Sequence, residues 1–106
     1  MRYILFVCVD PAAEPYVPQE DNIEAWVAEM EERNVRILGS RLKDLKDART
    51  IRRRNGHVIV TDGPFAETKE QLGGYFLIEG RDLNEAIQIV AKIPSARFGS
   101  IEVRPV

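Results

Sequence analysis

Asp62 is the residue best placed to do chemistry, because it ends an apolar run and directly precedes Gly63-Pro64. Proline biases the residue before it away from helix, and glycine permits a tight backbone path, so the carboxylate projects from a fixed turn. An adjacent apolar sheet that raised its pKa would suit it to acid/base work. An Asx-type turn, with Asp62 accepting nearby amides, is an equally weighted reading. Glu67-Thr68-Lys69-Glu70-Gln71 follows, and the Thr68 to Gln71 spacing matches a helix cap. That segment reads as one solvated helical turn, or as a lid whose Lys69 or Glu67 fixes a polar or anionic ligand over a sheet cleft. Gly73-Gly74 allows a bulge, a tight turn or close approach of a ligand to backbone. Tyr75 offers a hydroxyl to a cleft, although an aromatic in a central strand is more often core. Arg97 has the geometry to hold a carboxylate bidentately; a salt bridge to a loop or a partner copy is its commoner use.

Other chemistries are excluded by what surrounds these residues. His57 is the single histidine, and five residues separate it from Asp62. In one continuous strand that is roughly 16 Å with opposite facing, so the two form no catalytic pair there. A lone histidine and a lone cysteine argue against a transition-metal site and an internal disulfide. Cys8 lies within an apolar strand with no base beside it, which suits a structural thiol. No Ser-His-Asp set, phosphate loop or dinucleotide fingerprint is present, so no cofactor and no metal are expected.

The elements that must position these groups are legible from periodicity. Residues 2–9 (RYILFVCV) are apolar at both alternating sets of positions, the pattern of a strand buried on two faces. A proline-bearing acidic loop follows. Asp21 or Asn22 caps a predicted helix with Ile23, Trp26, Val27 and Met30 on one face and Asn34 as its left-handed stop. Residues 35–42 read as a strand interrupted at Gly39-Ser40, with a bulge there. Asn55-Gly56 joins strands 48–54 and 57–61 in a hairpin. Residues 73–79 form another strand, Asp82 to Glu85 is a capping box, and the helix it opens ends before Pro94. Residues 100–106 supply the last strand.

This order predicts one α+β domain, ferredoxin-like, with an inserted hairpin: β-α-β-β-β-β-α-β. Two helices cover one face of the sheet, yet strands 2–9 and 75–78 are apolar on both faces. Uncovered apolar sheet marks an interface, so a homodimer through the sheet face is expected. The 106 residues suit a single domain, and a net charge of −2 with interspersed signs offers no general field for nucleic acid or acidic membranes. Arg52-Arg53-Arg54 reads as a solvated edge whose charges discourage strand pairing. No spanning apolar run and no signal-peptide pattern are present, so a cytoplasmic protein without membrane contact is expected.

The stretch TDGPFAETKEQLGGYFLIE (61–79), followed by IPSARFGSIEVRPV, resembles the DGPF subgroup of the YCII-related family, and RYILFV and the helix spacings fit across nearly the whole chain. The resemblance implies a dimeric α+β barrel in which two ferredoxin-like sheets face each other. Members are mostly uncharacterised, and some resemble proteins encoded beside extracytoplasmic-function sigma factors. Wider relatives are associated with a His–Asp pair; Asp62 matches the motif aspartate, while His57 has no counterpart to the family histidine. Two readings follow. One is a cofactor-free enzyme or binding dimer with Asp62 as acid/base or anchor and Lys69, Glu67, Tyr75 and Arg97 as ligand-binding groups. The other is a noncatalytic regulatory or interaction module linked to sigma-factor control.

Overall fold

The computed structural model describes residues 1–64 and 70–106. Its elements are β1 (Arg2–Val9), α1 (Ile23–Glu32), β2 (Arg36–Arg41), β3 (Arg49–Arg54), β4 (His57–Asp62), β5 (Gln71–Glu79), α2 (Leu83–Val90) and β6 (Gly99–Pro105). Four strands form an antiparallel sheet in the order β2-β5-β1-β6, while among the described residues β3 and β4 pair only with each other. This is the ferredoxin-like α+β plan with an inserted hairpin that the order of strand and helix signals predicts.

Alternation along the strands decides what each face of the sheet carries. Tyr3, Leu5, Phe76, Ile78, Ile101 and Val103 point to the helix layer, where Tyr3, Leu5 and Ile78 are fully buried against Trp26, Met30, Ala86 and Ile89. Trp26 joins the layers: its ring lies 4.9 Å from that of Phe76, and its indole N–H donates to the Ile89 carbonyl of α2 at 3.2 Å. Among the described residues, no helix covers the opposite face. Register places Ile4 beside Leu77 and Phe6 beside Tyr75 there, with Leu38 flanking Leu77. Arg104 lies over the Phe6 ring at 5.5 Å.

The local signals are honoured in most places, and three differ in detail. Asn22 occupies the α1 cap position without a side-chain hydrogen bond, and the neighbouring Asp21 carboxylate accepts from the Ser95 hydroxyl at 3.3 Å. The irregularity in β2 falls between Arg36 and Leu38 rather than at Gly39-Ser40. Glu85 reaches back to Arg81 rather than to the Asp82 amide, while Asp82 accepts from the Glu85 amide at 2.9 Å as a capping aspartate should. Asn34 (φ 57°) stops α1 in the left-handed region, and Asn55 (φ 53°) with Gly56 (φ 77°) makes the hairpin turn.

Gly99 has a steric reason to be glycine. A Cβ there would sit 2.0 Å from the Cys8 carbonyl oxygen, a backbone atom held in the β1–β6 ladder. Gly99→Ala is therefore expected to lower stability by about 1–3 kcal/mol or more, the range for forcing extra atoms into packed structure, as read by urea unfolding.

Candidate functional site

The sheet carries a cleft of about 760 Å³ at the end of β1, in the size range of small-molecule sites. Val7, Val27, Phe76 and Phe98 give it apolar walls, with Ile23 and Tyr16 at the side of α1 and the loop before it. A second hollow of about 440 Å³ lies alongside, bordered by Leu42, Leu45 and Leu72. Val9, Arg41 and Gly73 border both, so the two meet where β1, β2 and β5 end together.

Backbone irregularity shapes this junction. Val7 pairs with Gly74 and Cys8 with Leu72, which leaves Gly73 as an extra residue in β5, a bulge at the predicted glycine pair. On β2, Gly39 faces the helix layer, where a Cβ would lie 2.3 Å from the Phe76 ring. Its absence lets that ring lie against the strand.

Two guanidinium groups come from the helix-facing side of β2. Arg36 is spent mostly within the fold: one amino group pairs with Glu31 at 2.5 Å and another donates to the Gly39 carbonyl at 3.2 Å. Its Nε is buried and has no partner among the described residues. Arg41 borders both hollows and makes no ion pair among the described residues. Asp21, Glu24 and Ser95 border the larger cleft toward the start of α1.

The loop before α1 is fastened over this region. Arg97 donates from Nε to Glu14 at 2.5 Å and pairs through Nη1 with Glu20 at 2.8 Å. The Glu14 hydrogen bond, ahead of the charges of Glu14 and Glu20, raises the Arg97 pKa from its ordinary value. Tyr16 packs edge-on against Phe98 with centroids 5.3 Å apart, and Arg97 lies over the same Phe98 ring.

The residues singled out from sequence are dispersed. Asp62 ends β4 with its side chain 90% exposed, 3.1 Å from Arg49 across the hairpin, and it lines neither hollow. Tyr75 borders the cleft, but alternation puts its side chain on the open sheet face with Phe6. Arg97 holds the loop and is not among the cleft-lining residues. Glu67 and Lys69, with most of the capping segment, lie outside the described residues. Sequence reasoning passed over Arg41, whose signal was slight: a cation at the end of an edge strand, with no motif around it.

Cys8 faces the uncovered side of the sheet. Burial, then the charges of Glu70 and Glu102, push its thiol above its ordinary value. At pH 8 its thiolate is scarcer than that of a free cysteine. Iodoacetamide is expected to alkylate it more slowly than glutathione at that pH, and faster as pH rises through the shifted value; mass spectrometry of timed aliquots measures both.

The family model of the YCII-related domain matches residues 1–106. An uncharacterised protein of Rhizobium meliloti (strain 1021) is 39% identical over 103 residues, covering 81% of this chain and 83% of its own length. With a matching α+β architecture and a family match across all its residues, this chain belongs to the YCII-related domain family.

Proposed function

We propose that this YCII-related protein, of the DGPF subgroup by its Asp62-Gly63-Pro64-Phe65 sequence, binds a small amphipathic anion in the cleft beside α1. The observation that carries this is a hollow of about 760 Å³ with apolar walls and, at its edge, Arg41, which makes no ion pair among the described residues. Arg41 would hold the anionic group through charge-assisted hydrogen bonds, and Val7, Val27 and Phe76 would cover the apolar body. Asp21 and Glu24 repel an anion near the start of α1, which leaves the β2 side for the charged end. Arg97 acts by holding the 10–22 loop in place.

Catalysis, in this reading, uses Asp62 as acid/base once a second surface covers it, since an exposed carboxylate in water has little to act on. A homodimer is expected, built by stacking the uncovered faces of two sheets through Ile4, Phe6, Tyr75 and Leu77. The Tyr75 hydroxyl then lies in the interface. The expected setting is cytoplasmic. A noncatalytic interaction module linked to sigma-factor control is the second reading, favoured by the apolar residues that β3 and β4 leave exposed.

A thermal-unfolding screen tests the binding reading. Octanoate, phenylacetate and octyl phosphate are expected to raise Tm and octylamine to leave it unchanged; at a hundredfold excess over Kd the stabilisation is about 2.7 kcal/mol. Equal shifts with acids and amine, or none with any, would count against an anion site.

A further inference from the structure

Among the described residues, the β3–β4 hairpin joins no strand of the main sheet. It forms a two-stranded sheet of its own, and such a hairpin is marginal in water by itself. Its register puts Arg49, Ile51 and Arg53 opposite Asp62, Val60 and Val58 on one face. Ile51, Val58 and Val60 are 70%, 58% and 60% exposed, a stripe of β-branched side chains in water. The other face is the one tied down at its base: Thr50 is buried, and its hydroxyl donates to the Gly63 carbonyl at 2.8 Å.

Charge on the arm points in the same direction. Residues 49–62 hold four arginines and one acid, Asp62, whereas residues 10–32 hold eight acids and no lysine or arginine. Some of those acids are neutralised locally by Arg97, Arg33 and Arg36. Glu24 and Glu32 of α1 are exposed and make no ion pair among the described residues.

We infer that the β3–β4 arm docks on a second copy of this chain, seating its Ile51–Val58–Val60 stripe on apolar surface there and its arginine tip against the acid-rich 10–32 segment. Reciprocal exchange about a twofold axis satisfies both arms and closes the assembly. A nucleic acid would match the arginines and leave the apolar stripe in water. Docking also carries Asp62 into the contact, because it shares the stripe's face. The motif aspartate, solvated in one copy, is then covered by the other. This rests on the homodimer reading and adds the arm to it.

Sedimentation equilibrium on the full chain and its variants decides the matter, with circular dichroism confirming the fold of each. Val60→Asp places a charge at a position already exposed in one copy, so the monomer fold tolerates it. It is expected to raise the dimer Kd by about tenfold or more, as is the pair Arg53→Glu and Arg54→Glu. Adding Glu24→Lys and Glu32→Lys to the second variant is expected to restore tight dimerisation, a rescue that general loss of stability would not give. An unchanged Kd in both Val60→Asp and the arginine pair overturns arm docking. Leu77→Arg lies off the arm, on the open sheet face, so an unchanged Kd there removes the sheet-face contact while leaving the arm. A wild-type chain that remains monomeric at micromolar concentration overturns both.

Discussion

Trp26→Ala is expected to cost about 3–5 kcal/mol, enough to remove much of the stability of a domain this size. Trp26 is 4% exposed, fills the space between α1, α2 and the sheet, and packs at a tilt against the Phe76 ring. The truncation removes that volume and also the indole N–H that donates to the Ile89 carbonyl at 3.2 Å, leaving that oxygen the Lys92 amide at 3.3 Å. The lost hydrogen bond adds about 0.5–1.5 kcal/mol to the cost of the lost volume. Trp26→Phe separates the two contributions, because it keeps most of the ring and loses the donor. Urea unfolding is expected to place the phenylalanine variant between wild type and alanine, nearer to wild type. Equal losses in the two variants would mean that the hydrogen bond, rather than the volume, dominates.

Arg41→Glu is expected to weaken binding of an amphipathic anion by at least about tenfold to a hundredfold, the 1.5–3 kcal/mol of a hydrogen bond to a charged group plus added repulsion. The residue is exposed and makes no ion pair among the described residues, so its replacement leaves the fold intact. Arg41→Lys keeps the charge and loses the planar fork, and is expected to fall between the two. Octanoate titrated calorimetrically into the three chains reads the series. Binding that survives the charge reversal unchanged would place the anion elsewhere.

The fold was legible because its information is local. RYILFVCV announces a two-sided strand, Asn55-Gly56 a hairpin and Asp82 a cap, and each signal acts over a few residues. Even the Gly73 bulge has a local mark in its glycine pair. The hollow was not legible, because it is made where β1, β2 and β5 end beside one another. Arg41 and Val7 lie far apart in sequence and meet only through the β2-β5-β1 order. Asp62 shows the same limit from the other side. Its place at the end of a strand is a local property, but local pattern does not say that the strand belongs to a separate arm. Arg97 was read as a ligand anchor or a salt bridge, and the choice depended on Glu14 and Glu20, more than seventy residues away in the chain.

Amide chemical-shift mapping with octanoate locates the bound anion residue by residue. Saturable shifts are expected to cluster at Val7, Arg41, Gly73, Gly74, Phe76 and Phe98, all residues bordering the cleft. The same titration of the Arg41→Glu chain should leave those amides nearly still. Shifts confined to Ile4, Phe6 and Leu77 on the open sheet face, or no saturable shifts, would contradict binding in the cleft.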